Sequence, residues 1–299
     1  MAKAEDLHLK KGKDWGSHLV RGGNLFIDRL LSVTDDTVLN TGEASLSSAN
    51  PAQALLQVAN ALKAESIDPE TGRIDYVNLA KCEAYQDFRE VARSLANCSL
   101  EDLGDESTQT AFWINLYNAM ILDAVVQYQI KDSISRNLGL FRRAAYRIGG
   151  MRFSADDIEH GILRGNRRNP YFPFPPFAPD DPRLAFSMDH PDPRVHFALV
   201  CGARSCPPIA FYDGEQIHAQ LDLAATGFIN GGGVDYDPAQ QTLWLSKIFS
   251  WYQVDFGGRR GVLKTIGKYI RDEKAQEALE RGPARVRYRP YDWSINGLV

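Results

Sequence analysis

Cysteine is scarce in this chain, with four among 299 residues, too few for the disulfide frameworks that hold small secreted domains together. Long apolar runs are missing too. No stretch approaches the roughly eighteen consecutive apolar residues of a membrane-spanning helix, so no integral membrane segment is expected. The amino-terminal Met-Ala-Lys-Ala-Glu-Asp lacks the apolar core of a secretory signal. Read at face value the protein is cytoplasmic, or periplasmic or secreted if a leader has been replaced by an initiating methionine. There is no basic excess: the formal net charge is -4, so nucleic acid is not expected as a partner. No internal repeat and no clear linker appears after residue 50. What remains is an ordinary globular composition, 44% hydrophobic and 24% charged, long enough for one large domain at 51–299 and an amino-terminal extension at 1–50.

The rarest chemistry lies in residues 194–208, Arg-Val-His-Phe-Ala-Leu-Val-Cys-Gly-Ala-Arg-Ser-Cys-Pro-Pro. The apolar run 195–200 has strand length and composition, and it ends at Cys201-Gly202, which predicts a buried strand entering a tight loop. Pro207 favours the first position of a helical turn, leaving Cys206 just before it, where free amide N–H groups and the helix dipole favour a thiolate. The bland alternative is that both cysteines are small buried hydrophobes. Cys82 and Cys98 fall in or beside helices and read as packing residues.

Residues 1–50 mix charged, glycine-rich and Ser/Thr/Asn-rich pieces and read as an arm. Leu19, Phe26, Ile27, Leu30 and Leu31 can form one amphipathic helix, docked on the body or on a partner protein. Asn50-Pro51 starts a helix over 52–64, residues 68–72 are a turn, and Asp75 caps a longer helix to about Ala96 with Val77 among its contacts. The strongest helix is 109–129. At 100° per residue, Gln109, Asp123 and Gln127 mark its wet side, while Asn115 and Asn118 fall on the buried side and need partners for their amides. Residues 142–153 read as a hairpin, 146–148 and 151–153 around Gly149-Gly150, and Ser154 with Asp157 as a capping pair for a short helix over 155–163. On it, His160 shares a face with Arg164, and Glu159 points about 100° away.

Arg142, Arg143, Arg147, Arg152, Arg164, Arg167 and Arg168 make this segment basic, able to hold a carboxylate or phosphate or simply to brace loops. The proline-loaded residues 169–193, interleaved with aromatics, form a strap or a wall over a cleft. Beyond the cysteine loop, a helix is expected over 214–229, closed by Gly231-Gly232-Gly233. A hairpin of 234–236 with 242–246 follows, then helices over 261–272 and 273–280 and a final strand at 285–288.

Five blocks carry a resemblance: Phe112-Trp-Ile-Asn-Leu-Tyr-Asn-Ala, Ile158-Glu-His-Gly-Ile-Leu-Arg, the run from His196 to Pro208, Phe249-Ser-Trp-Tyr and Tyr291-Asp-Trp-Ser-Ile-Asn. Together they resemble the family catalogued as domain of unknown function 547, over roughly residues 75–296. Such families occur in bacteria and plants, in some plants beside glutaredoxin-like and membrane-associated modules, and the resemblance so implies thiol chemistry without a defined reaction.

The sharpest functional expectation is a thiol nucleophile, Cys206, with His160 as its base, in a hydrolase or acyl transferase site resembling papain-like enzymes with the residue order reversed. Asn118, Asn115 or Glu159 would orient the imidazole. His196 is the competing base, although in a regular strand it projects away from Cys201. Arg164, Asn115, Arg204 and His196 are the candidate substrate-binding residues, for a small-molecule or peptide substrate of anionic character. A metal site from Cys201, Cys206 and His160 is disfavoured by its loose spacing, and no cofactor is expected. A reversible Cys201–Cys206 disulfide acting as a redox switch is an alternative. A non-catalytic interaction module, in which Cys206→Ser leaves function intact and loss of the arm abolishes it, is the other class. The fold expected is a single helix-rich α+β domain in which a small antiparallel sheet carries the cysteine loop.

Overall fold

The computed structural model describes residues 2–43, 50–282 and 285–298. The serine-rich end of the arm, residues 44–49, lies outside the described residues. The elements in order are α1 (Ala2–Leu30), α2 (Pro51–Ser66), α3 (Tyr76–Leu79), α4 (Glu83–Ser94), α5 (Glu106–Gln127), α6 (Leu140–Arg143), β1 (Ala145–Ile148), β2 (Met151–Ser154), α7 (Ile217–Phe228), β3 (Val234–Asp237), β4 (Thr242–Leu245), α8 (Ile248–Trp251), α9 (Gly258–Tyr269), α10 (Glu273–Arg281) and β5 (Arg285–Tyr288). Between β2 and α7 the chain forms a π-helical segment, Asp157–Leu163, and short 3-10 turns. The class is α+β, helix-rich, with two small sheets.

The chain is organised around α5. Asp105 caps it by accepting from the Thr108 amide, and its residues from Ala111 to Val125 are all buried, so α2, α4, α7 and the π-helical segment pack around it. A helix enclosed on every side needs no amphipathic stripe. The expected wet side is therefore corrected at Asp123, which is fully buried. It is tolerated because Arg89 pairs with it at 2.7 Å and the Tyr85 and Tyr146 hydroxyls donate to it at 2.6 and 2.8 Å.

Local signals hold where a cap or a turn states them. The Asn50 side chain accepts from the Gln53 amide to start α2. The β1–β2 register pairs Ile148 with Met151 across Gly149-Gly150, whose φ values of 53° and 76° suit glycine. Ser154 and Asp157 bond reciprocally, as a capping pair should. The helix expected from Asp75 to Ala96 is broken: Asp75 caps only α3, α4 begins again at Glu83, and Val77 is exposed.

The expected strand at 195–200 is absent. Asp192 accepts from the Arg194 amide and Pro193 opens a 3-10 turn, Pro193–Phe197, and that capping chemistry overrides the β propensity of the residues that follow. The turn sends Val195 and Ala198 into the core around α5 and Phe197 into a second core, where it meets Phe228, Phe249 and Phe256 under the β3–β4–β5 sheet. That sheet pairs β3 and β4 antiparallel but β4 and β5 parallel. Neither sheet carries the cysteine loop. The loop is clamped instead by the tail at 291–296: Ala203 bridges Ile295, and the Arg204 and Asn296 amides donate to Ser294 and Gly202 carbonyls at 2.9 Å each.

Candidate functional site

Several of the residues singled out from the sequence meet in one cavity of about 110 Å³ between the two cores. The π-helical segment supplies Glu159 and His160, with Asp156 just before it. The widened backbone turn lets consecutive side chains share a wall. Gly161 behind them is required by packing, since a Cβ there would lie 2.4 Å from the Phe177 ring. The 3-10 turn brings His196, the loop brings Cys201 and Cys206, α8 brings Trp251, and the tail brings Tyr291 and Trp293. Because residues 195–200 are not a strand, His196 and Cys201 do not project to opposite faces: both line the same space.

Cys201 and Cys206 are joined as a disulfide, with Cα atoms 6.3 Å apart. The Tyr291 hydroxyl lies 3.3 Å from the Cys201 sulfur and 3.1 Å from that of Cys206. The expected helix after Pro207 does not form, and residues 207–213 are irregular. Cys206 is therefore placed by a turn, its amide donating to the Ala203 carbonyl at 3.1 Å. Cys82 and Cys98 are free thiols, both pushed up by burial. Among the described residues no group of three or more His, Cys, Asp or Glu is placed to hold a metal ion.

His160 is buried, and its Nδ1 lies 2.8 Å from an Arg164 guanidinium nitrogen. Arginine can only donate, so Nδ1 accepts and the ring proton sits on Nε2, which faces Asp156 Oδ1 at 3.6 Å. Burial pushes the imidazole down to about 4, with Arg164 reinforcing the shift against the opposing pull of Glu159. The ring is thus neutral at pH 7. Burial also pushes the Asp156 carboxyl up to about 7; Arg142 opposes this, while Glu159 and Asp157 add to it. Glu159 goes the other way. Burial alone would raise it, but His160, His196, the Tyr252 hydroxyl and Arg164 together hold it below the usual carboxylate range. The Tyr117 hydroxyl donates to it at 3.2 Å, and it approaches His160 Nδ1 only to 3.9 Å.

Arg164 is turned to Asp255, pairing at 2.5 Å, and His196 donates to the same carboxylate at 2.8 Å while stacking on Tyr252 at 3.8 Å. Burial opposes ionisation of Asp255, but His196 and Arg164 outweigh it and hold it well below the usual range.

Other expectations are placed elsewhere. Asn118 does not approach His160: its amide nitrogen donates to the Ala198 and Ala210 carbonyls, and its oxygen accepts from the Val200 amide. Asn115 exchanges two bonds of 2.7 Å with the Tyr212 backbone. Both buried amides brace the segments flanking the cysteine loop. Arg204 is exposed and borders a separate cleft that also reaches Cys206. The arginine-rich segment divides: Arg164 and Arg167 bind Asp255, whereas Arg142, Arg147 and Arg152 line a cleft beneath α1. Asp156, Asp255, Tyr252 and Tyr291 were not singled out as site residues by sequence reasoning. The sequence carries one signal for Asp156, an acid four residues before His160 and so on the same helical face.

A helix-rich α+β chain with a disulfide and closely spaced titratable groups around one small cavity is the class the geometry defines. Residues 100–229 match the family model described as Protein of unknown function, DUF547. The resemblance read from the motifs holds over that segment, which contains the first three blocks, while those at Phe249 and Tyr291 fall outside it. No curated protein and no solved structure matches the chain. Among the described residues, no helix is long and apolar enough to cross a membrane.

Proposed function

We propose that this cavity is a thiol-dependent hydrolase or acyl transferase site whose nucleophile, Cys206, is held in reserve as a disulfide with Cys201. What supports this reading is the meeting of Cys206, His160, Glu159 and Asp156 around one cavity. A dithiol reductant supplies two electrons and two protons to the disulfide, is itself oxidised to a disulfide, and leaves Cys201 and Cys206 as thiols. Asp156, with its elevated pKa and the His160 N–H beside it, takes the thiol proton. The thiolate attacks an acyl carbon, an S–C bond forms, and the amine or alcohol departs with the proton from Asp156. Water or a second acceptor then cleaves the thioester. His160 is not the base, since its Nδ1 is occupied by Arg164; its Nε2 stands 3.6 Å from the Asp156 carboxyl.

The test is iodoacetamide labelling followed by peptide mapping, with Cys82 and Cys98 as internal controls. After dithiothreitol, Cys206 is expected to label at least about tenfold faster than either control, and Asp156→Asn to remove that advantage. Labelling of Cys206 no faster than Cys98 after reduction overturns the reading. The alternative of a docking module draws on α1, whose Leu19, Phe26 and Leu30 are exposed.

A further inference from the structure

The cavity was expected to receive an anion because the sequence around His160 is rich in arginine, yet its lining has the opposite character. Among the described residues the lining includes two carboxylates, Asp156 and Glu159, and no lysine or arginine. The nearby guanidinium of Arg164 is paired with Asp255, and burial pushes the pKa of both lining imidazoles, His160 and His196, down.

The same cavity is lined by a cluster of aromatic rings from three separate parts of the chain. Trp251 contacts Tyr291 at 4.9 Å and Trp293 at 5.7 Å between centroids, Tyr291 meets Trp293 at 4.7 Å, and Tyr171 of the proline-rich strap closes edge-on against Trp251 at 6.0 Å. Tyr171 is exposed, and the other three are half-buried. Ring faces carry negative potential and attract organic cations, more so where water is partly excluded. Glu159, held below the usual carboxylate range, supplies charge and hydrogen-bond acceptors to the same ligand, and Asp156 supplies a second acceptor.

We infer that the cavity binds a substrate through an alkylammonium group, held between the Trp251–Tyr291–Trp293 cluster and the Asp156 and Glu159 carboxylates. This rests on the same cavity being the reactive site, and it replaces the anionic substrate with a cationic one. The ammonium lies beside the disulfide, so the acyl group transferred would be only a few bonds from the amine. A small cavity limits the group to a short, unbranched amine end.

The experiment is a titration of the whole, oxidised protein with n-butylammonium, n-butanol and butyrate, followed by calorimetry and by the tryptophan indole N–H resonances. Expected is saturable binding of n-butylammonium, about tenfold or more tighter than n-butanol, with butyrate the weakest, and with shifts at the indoles of Trp251 and Trp293. Glu159→Gln is expected to abolish the preference for the amine over the alcohol. Trp251→Leu is expected to weaken the amine and leave the weak alcohol binding little changed. Equal affinity for amine and alcohol, tighter binding of butyrate, or no binding of the amine through the millimolar range each overturns the inference; should Glu159→Gln fail to fold, the three-ligand comparison on the unaltered protein decides alone. No thiol is free to react at Cys206 in the oxidised protein, so failure here is read separately from failure of the labelling test.

Discussion

Asp123, on the central helix α5, and Asp156, just before the π-helical segment that packs on it, are both buried acids, and their surroundings set them apart. Asp123 is enclosed by Arg89, Gln127 and two tyrosine hydroxyls, each within 2.8 Å. Asp156 has Asn169 at 3.2 Å and the His160 Nε2 at 3.6 Å, on the edge of a cavity. A carboxylate saturated with donors is a fixed negative post about which helices are assembled. One that is buried with few donors and open to a cavity exchanges protons readily and is available to a ligand. Burial alone therefore does not separate framework from chemistry; the number of donors aimed at the charge does.

The largest consequence falls on the saturated site. Asp123→Ala leaves Arg89 and two hydroxyls without their acceptor, and removal of one partner from a buried pair costs about 3–5 kcal/mol. Urea denaturation measures this directly. A loss under about 1 kcal/mol would mean that Asp123 is not the post that the geometry makes it.

The second consequence is a pH dependence confined to the unsaturated site. The folded-state pKa of Asp156, about 7, stands above its ordinary 3.8, so its favourable contribution is complete below pH 4 and is lost as the pH rises to 7. His160 has the reverse sign. Its folded-state pKa of about 4 is below the ordinary 6.5, so its contribution is complete above pH 6.5 and is lost as the pH falls toward 4. Asp156→Asn keeps an acceptor for Asn169 but removes the ionisation, together with its repulsion from Glu159 and Asp157 and its attraction to Arg142. The variant is expected to gain on the order of 3 kcal/mol over the unaltered protein at pH 8 and almost nothing at pH 4. Denaturation at the two pH values checks it, and an equal difference at both would place the Asp156 pKa in the ordinary range.

These two sites also explain what the sequence discloses. Caps and turns are stated by a few adjacent residues, so Asn50, the Ser154–Asp157 pair and Gly149-Gly150 are legible in advance. Asp123 is not, because its burial depends on Arg89 and Tyr146, from elements remote in the chain. The site divides in the same way. Cys206, His160, Glu159 and His196 attract notice by residue type, but their grouping depends on a 3-10 turn where composition favours a strand, and on a tail that returns Tyr291 to the sulfurs. The arginines mislead for a related reason: sequence proximity to His160 says nothing about which face each side chain takes, and Asp255 captures two of them from a distant loop.

Asn118 belongs with Asp123 on the framework side, and a smaller effect is expected there. Its amide joins two backbone segments through three groups, at Ala198 and Val200 and at Ala210. Asn118→Ala should cost about 1–3 kcal/mol through the backbone groups it leaves unpaired. It should leave the pH dependence attributed to Asp156 unchanged, since no bond links the two. If Asn118→Ala altered that dependence without altering stability, the division between the two sites would not stand.

The smallest effect is expected on α1, where the helix itself shows two unlike faces. Its polar side is docked: Asn24 donates to the Pro175 and Pro176 carbonyls at 2.9 and 3.1 Å, and Asp28 pairs with Arg142 at 2.8 Å. Leu19, Phe26 and Leu30, at intervals of seven and four, form a stripe on another face and are each more than 60% exposed. An apolar side chain already in water loses no burial when it is made polar, so Leu19→Ser with Phe26→Ser should shift stability by no more than about 0.5 kcal/mol. Asp28→Ala should cost more than the double change, because it removes the acceptor of a half-buried guanidinium. Urea denaturation of the three proteins ranks them. A double variant that lost more than Asp28→Ala would show the stripe to be covered in the folded protein, and the docked and free faces of α1 would have to be exchanged.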